Sequence, residues 1–160
     1  MARLAAHGLE LDLPQGWDGR IMRRETAPVE VRAAPPGGVA PPPPAVAHAA
    51  TFSLPRELGD FGGGAVELMR RDDLFVSLVE FDRDSLGTTL FVRNGLPGRL
   101  RPGDFDPQAL QRTLPGQAGT QVFFTAADRP FCLYVVLGSF VRRAGMVPVV
   151  NGLLSGVQIT

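Results

Sequence analysis

The sequence has no lysine, one cysteine and two histidines among its 160 residues. The sixteen basic residues are all arginines, and they balance sixteen acidic residues. A chain without net charge has no general attraction to nucleic acid or to an anionic membrane surface. The single cysteine excludes an internal disulfide and a cysteine metal site. Because the histidines have no HxH or HExxH spacing, the sequence predicts no metal ion and no cofactor.

Long apolar runs are also missing. No stretch reaches the roughly 18 apolar residues that a membrane-spanning helix needs. The first 14 residues contain a single arginine and a short apolar piece, which is unlike a signal peptide. We therefore predict a soluble, cytoplasmic protein whose residues 1–160 form one domain.

Recognisable catalytic motifs are absent. There is no GxSxG nucleophile elbow, and Cys132 lies inside an apolar stretch, where a free thiol usually serves as a small core residue. Three consecutive glycines, residues 62–64, lack the Lys-Ser/Thr sequel of a phosphate-binding loop. These features predict no catalytic residue and favour a protein that is not an enzyme.

Residues 120–141 are the most apolar stretch and predict a β-hairpin. One arm is predicted at 120–125, the turn at 126–130 and the second arm at 131–140. The second arm is apolar at nearly every position, which is typical of a central strand covered on both faces. Residues 74–81 have the same character and are predicted to lie beside it.

The rest of the chain predicts further strands and one long helix. The other strands are predicted at residues 8–13, 17–24, 46–54 and 88–93. The strands at 8–13 and 17–24 are predicted to pair with each other, as are those at 74–81 and 88–93. Apolar residues at helical spacing predict a helix at 146–157, and short helices are expected at 65–71 and 108–112. The predicted fold class is α+β, a single, mostly antiparallel, twisted sheet of about six to seven strands with the C-terminal helix packed on it.

A proline-rich segment at about residues 33–45 interrupts this pattern. Four consecutive prolines, residues 41–44, exclude a helix or a central strand there. We interpret the segment as a long loop inserted into one domain, and a docking ligand for a partner is the alternative.

Two parts of the sequence resemble Mog1/PsbP-like domains. The first is GLELDLPQGW at residues 8–17, an alternating strand followed by a Pro-x-Gly-Trp turn. The second is the late hairpin with its apolar second arm, followed by a closing helix that contains VNGLLSGV at residues 150–157. The resemblance implies a central antiparallel sheet flanked by helices. It also implies an accessory or binding role, and it transfers no functional residue to this chain.

Three functions are compatible with these observations. The first is a non-enzymatic accessory or interaction module that binds a protein partner or its own copies. Its contacts are predicted from apolar loop residues that could form an exposed patch and from two residues beside the first turn: Trp17, Arg20, Phe61, Leu96, Phe105 and Leu114. Trp17 is interpreted either as a cover for the edge of the core or as a partner anchor.

The second function is that of a small-ligand-binding protein or an enzyme. Its pocket would lie between the sheet and two loops, residues 62–64 and 114–117, with Arg112 and Gln117 holding the ligand. The third is a structural component of a larger assembly, tethered by the proline-rich segment.

Overall fold

The computed structural model describes residues 1–24 and 42–160, which contain eight strands and one α-helix. The elements follow one another as β1 (Ala2–Ala6), β2 (Leu9–Leu13), β3 (Asp18–Arg23), β4 (Ala45–Ala50), β5 (Leu74–Glu80), β6 (Ala118–Ala126), β7 (Arg129–Leu137), α1 (Arg143–Leu154) and β8 (Val157–Ile159). Most of the predicted proline-rich insertion lies outside the described residues.

The α+β class is confirmed, but the prediction of a single sheet is wrong. The strands form a three-stranded sheet in the order β1-β2-β8 and a five-stranded sheet in the order β3-β4-β5-β7-β6. All pairings between these strands are antiparallel.

The two sheets arise because β2 does not pair with β3. A tight turn at His7 and Gly8, with φ of 54° and 77°, folds β1 back onto one edge of β2. The C-terminal strand β8 takes the other edge of β2. With both edges of β2 occupied, β3 pairs with β4 instead. The sequence pattern of β1 and β8 is weak, so neither strand was predicted.

The β6–β7 hairpin forms one side of the larger sheet: β7 is an interior strand, as predicted for the second arm, and β6 is the edge strand. Strand β7 lies between β5 and β6, and eight of its nine residues are buried. The turn is shorter than predicted and consists of Ala127 and Asp128, whose φ angles are 51° and 56°. Two central residues with positive φ are the geometry of a type I′ turn, whose twist matches that of the strands.

Side chains alternate between the two faces of the larger sheet, and each face has its own apolar cluster. Ala47, Ala49 and Val76 point into the main core, which also contains the apolar residues of β2 and α1. Ala50 and Phe75 point into a second cluster, covered by the segments that follow β4 and precede β6. The period of two in these strands therefore produces two separate hydrophobic layers.

Three other local predictions are wrong in detail. Residues 88–93 do not form a strand but contain a 3-10 helix, Thr89–Phe91. Residues 108–112 form turns and bends without a helix. The C-terminal helix was predicted at residues 146–157 but spans Arg143–Leu154, so it begins and ends three residues earlier.

Arg129, at the start of β7, connects the two sheets. Its guanidinium forms a bidentate ion pair with Glu80 at the end of β5, with Nε–Oε2 at 2.8 Å and Nη2–Oε1 at 3.0 Å. The same guanidinium donates to the carbonyl oxygens of His7 and Thr160, which belong to the smaller sheet and its C-terminal end. Glu80 Oε1 also accepts a hydrogen bond from the backbone N–H of Ala45.

Candidate functional site

The residues predicted to bind a partner are spread over both faces of the larger sheet. Trp17 and Leu96 are half-buried against the main core, and Phe105 belongs to that core with 4% of its surface exposed. Phe61 and Leu114 pack on the second cluster, on the opposite face. These apolar residues therefore cover the two hydrophobic layers and do not present one common surface. The sixth predicted residue, Arg20, donates from Nη1 to the carbonyl oxygen of Arg56 at 3.1 Å.

The two loops predicted to line a ligand pocket do lie together. Gln117 Nε2 donates to the carbonyl oxygen of Val66 at 2.9 Å, and Arg112 Nη1 lies 3.4 Å from Glu67 Oε1. Both polar side chains thus tie residues 112–117 to the segment just after the three glycines. The second apolar cluster packs beneath them, so Gln117 holds two loops together in this structure.

Asp60 anchors the segment between β4 and β5 on the second face. Its carbonyl oxygen accepts hydrogen bonds from His48 Nε2 at 2.9 Å and from the hydroxyl of Ser77, two residues paired across β4 and β5. Its carboxylate pairs with Arg24. Since a carbonyl oxygen only accepts, His48 carries its proton on Nε2. Burial lowers the pKa of His48 below its ordinary value, so the ring is neutral near pH 7.

The unexpected site lies at the outer edge of β6. In an antiparallel pair, alternate residues of an edge strand turn their N–H and C=O groups away from the neighbouring strand. Thr125 pairs with Pro130, which has no N–H, so Thr125 and every second residue before it face outward. The outward-facing residues of β6 are therefore Gly119, Gln121, Phe123 and Thr125.

Loop residues cover the two ends of this edge. Asp106 and Gly119 exchange two backbone hydrogen bonds of 3.0 Å. At the other end, Thr125 N–H donates to the carbonyl oxygen of Arg93, and Gly95 N–H donates to the carbonyl oxygen of Thr125, both at 2.8 Å. The loop between these contacts leaves the edge and crosses toward α1, where Asn151 holds Leu100 by two hydrogen bonds.

Gln121 and Phe123 are left open between the two covered ends. No backbone group in residues 1–24 and 42–160 pairs with the outward N–H and C=O groups of these two residues. Gln121 is exposed and Phe123 is half-buried. We call this stretch the edge window. An unpaired strand edge is a template for another extended chain.

A polar cleft of about 230 Å³ adjoins the edge window on the side of the crossing loop. Residues from the loop and from β6 line it: Arg93, Pro97, Arg99, Leu100, Asp104, Thr120, Gln121 and Val122. We call it the edge cleft.

The charges of the edge cleft favour an anion. Arg93 and Arg99 form no ion pair with any residue in the described ranges. The one carboxylate that lines the cleft, Asp104, accepts a hydrogen bond from the backbone N–H of Arg101 at 2.8 Å. Two guanidinium groups against one engaged carboxylate leave a net positive site, and guanidinium binds carboxylate with two parallel hydrogen bonds.

Apolar side chains lie at one end of the edge window. Leu90 and Val92 precede Arg93 and are 55% and 76% exposed. The ring of Phe91 between them packs edge-on against Phe123, with 5.7 Å between ring centroids. The surface around the edge window thus combines backbone hydrogen-bonding groups, two arginines and exposed apolar contacts.

The arginines of the edge cleft were not predicted as a site. The sequence showed Arg93 at the end of a predicted strand and Arg99 in a loop rich in Gly, Pro, Arg and Asp. The sequence feature that could have indicated the site was the length of the loop before β6. Only the pairing of β6 shows that this loop covers the two ends of the edge and leaves its middle open.

Other features of the described residues indicate no further site. An apolar cavity of about 10 Å³ lies within the main core, beside Leu11, Leu78 and Leu133, and it is too small for a ligand. No group of three or more His, Cys, Asp or Glu side chains in the described part of the chain is arranged to hold a metal ion. None of the described helices is long and apolar enough to cross a membrane.

Comparisons with known proteins produced no match. No family model matches the chain, and neither curated proteins nor solved structures include a match.

Proposed function

We propose that this protein is a non-enzymatic interaction module that binds a partner protein at the edge window of β6. The proposal depends on the interrupted cover of the edge. Loop residues pair with Gly119 and Thr125, whereas no backbone group of residues 1–24 and 42–160 pairs with the outward groups of Gln121 and Phe123. Strand addition to such an edge is a common mode of peptide recognition, in which main-chain hydrogen bonds supply much of the affinity.

Two further observations support the proposal. Leu90 and Val92 offer exposed apolar contact next to the edge window, and aromatic and aliphatic anchors dominate the energy of most interfaces. The resemblance to Mog1/PsbP-like domains, whose members are mostly accessory and binding proteins, agrees with a binding role.

The volume of the edge cleft favours a second candidate, the binding of a small anionic ligand. At about 230 Å³ the cleft is smaller than the roughly 300–1,000 Å³ of typical ligand sites, so it suits only a small anion. For this second candidate we propose the edge cleft as the ligand site, in place of the region around Arg112 and Gln117 that the sequence predicted. The third possibility, a tethered component of an assembly, depends on the proline-rich segment, most of which lies outside the described residues.

Gln121→Pro provides a direct test of the edge window. Proline removes the outward N–H of Gln121 but no hydrogen bond to β7, so the variant should fold. Thr120→Pro is the contrast for folding and not for binding: Thr120 N–H faces Val135 on β7, so this proline should destabilise the sheet whereas Gln121→Pro should not.

The readout is the set of backbone amide signals in nuclear magnetic resonance spectra of the labelled protein, titrated with short extended peptides. We expect shifts centred on Gln121 and Phe123 that are lost in Gln121→Pro. Shifts confined to other surfaces, or no shift with any peptide, would refute the proposal. Sedimentation of the free protein measures whether it self-associates. If it forms a dimer that the change Gln121→Pro dissociates, the partner is a second copy of this chain.

A further inference from the structure

We infer that the edge window receives the C-terminal end of a partner chain, with its terminal carboxylate held by Arg93 and Arg99. This inference rests on the proposed function, because it specifies which part of a partner enters the same site. It follows from three properties of the edge window: its length, its charge and its apolar border.

The edge window is too short for a strand that continues in both directions. Its two open residues, Gln121 and Phe123, are about 7 Å apart at roughly 3.4 Å per residue. A longer added strand would reach the positions opposite Gly119 and Thr125. Those positions are already filled by Asp106 and Asn94 of the chain itself. A chain that ends inside the edge window avoids the obstacle at the end where it stops, and its last two or three residues match the available length. The residues before them leave the edge ahead of the other covered position.

The charge of the edge cleft selects a carboxylate at that chain end. Arg93 and Arg99 both line the cleft and have no acidic partner in the described ranges. Asp104, the one acidic residue that lines the cleft, is held by the backbone N–H of Arg101 and keeps its charge, so the two arginines leave one net positive charge for a carboxylate. The buried Thr120 also lines the cleft, and a threonine hydroxyl is a neutral group that can donate to an anion.

The apolar border adds a preference for the residues that precede the carboxylate. Successive side chains of an added strand point to opposite faces of the sheet. Those on the second face lie beside Phe123, whose ring contacts Phe91, the residue between the exposed Leu90 and Val92 in the sequence. A partner end with an apolar residue among its last three therefore fits better than a wholly charged one.

Three tripeptides test the inference in the full chain. They are acetyl-Ala-Val-Leu with a free carboxylate, the same peptide with a C-terminal amide, and acetyl-Ala-Asp-Leu amide, which carries its carboxylate on a side chain. Each is titrated into the millimolar range while the amides of Gln121 and Phe123 and the Nε–H signals of arginine are followed. We expect the free acid to shift these signals and to bind at least about tenfold more tightly than its amide, as loss of a charge-assisted hydrogen bond implies.

The arginine variants supply the second arm. Arg93→Ala and Arg99→Ala alter exposed side chains, so both should fold, and each should weaken the free acid severalfold while leaving the amide unchanged. Arg83→Ala, an exposed arginine that does not line the edge cleft, is the control and should have no effect.

The outcomes separate the inference from the proposed function. Equal binding of acid and amide at the edge window would overturn the chain-end inference and leave the interaction module intact. Tighter binding of the aspartate-containing amide would also overturn the chain-end inference, because it would mean that the edge cleft binds an internal acidic side chain and not a terminal carboxylate. If no peptide of the three affects Gln121 or Phe123 at any concentration, and longer extended peptides also fail, both ideas are refuted.

Discussion

Replacing Arg129 by alanine should destabilise the fold more than any other single change of a charged residue that we consider. Arg129 makes two hydrogen bonds to Glu80 and one each to the carbonyl oxygens of His7 and Thr160. Among the described residues, its removal would leave the Glu80 carboxylate with one hydrogen-bond partner, the backbone N–H of Ala45. It would also remove the side chain that joins the larger sheet to the smaller one.

The expected size of the effect follows from the burial of this pair. The side chains of Arg129 and Glu80 are 15% and 10% exposed, so water replaces only part of the lost interaction. Breaking a buried ion pair by removing one partner typically costs 3–5 kcal/mol. Because both groups retain some contact with water, we expect a loss of about 3 kcal/mol, a large part of the roughly 5–15 kcal/mol by which a domain is stable.

Urea unfolding, followed by the fluorescence of Trp17, measures this loss. We expect a lower midpoint with an unchanged slope for Arg129→Ala. Arg129→Lys keeps the charge but not the bidentate geometry, so the free energy of unfolding should fall by an intermediate amount. A change below about 1 kcal/mol for Arg129→Ala would refute the reasoning, since it would mean that the pair behaves like an exposed one.

The same pair makes a prediction about pH. Burial raises the pKa of Glu80, but the hydrogen bonds from Arg129 and from Ala45 N–H and the charges of Arg129 and Arg23 outweigh it, so the pKa lies below its ordinary value of 4.5. A lowered carboxyl pKa stabilises the fold above pH 4.5 and ceases to do so as pH falls through the folded value. The stability difference between the wild type and Glu80→Gln should therefore shrink below about pH 4.5, and a constant difference would contradict the assignment.

Three further predictions concern other parts of the fold. Gly138→Ala should destabilise the fold by about 1–3 kcal/mol because the added Cβ would collide with backbone oxygens. Gly152→Ala, on the open side of α1, should stabilise it by about 0.5–1 kcal/mol. Thermal unfolding should therefore show midpoints that shift in opposite directions for the two variants. Burial raises the pKa of Cys132 to about 12, so a thiol reagent should modify it only as fast as the protein unfolds, and rapid labelling of the native protein would contradict this. The double change Ala127→Asn and Asp128→Gly should stabilise the β6–β7 turn by about 0.5–1 kcal/mol in urea unfolding, because both positions have positive φ, and a loss of stability would exclude the type I′ turn.

Much of the larger sheet was predictable because its strands carry their own signal. Residues 74–81 and 131–140 are apolar at nearly every position, and the structure places β5 and β7 side by side at the centre of the sheet. Cys132 was expected in the core, and it is fully buried. In these strands burial is dictated by composition alone, so local pattern and tertiary position agree.

The division into two sheets was not predictable from local pattern. Strand β1 has the weakly alternating sequence ARLAA, and β8 has only three residues, so neither one stands out from a loop. Their pairing with β2 depends on contacts between the first and last parts of the chain. The prediction of a strand at residues 88–93 was wrong for a different reason: there the pattern was clear but ambiguous. A short apolar run is equally compatible with a 3-10 helix packed on a sheet, and Thr89–Phe91 form such a helix.

The sequence by itself determined the α+β class, the β6–β7 hairpin with β7 as its interior strand, the burial of Cys132 and the apolar nature of the C-terminal helix. Each of these follows from residue types over a short stretch of chain. Only the tertiary structure decided which strands share a sheet and where a strand edge stays open. The edge window exists because residues 93–95 and 106 pair with the two ends of β6 and not with its middle. Pairing of that kind joins residues that are far apart in sequence, so no local pattern of residues records it.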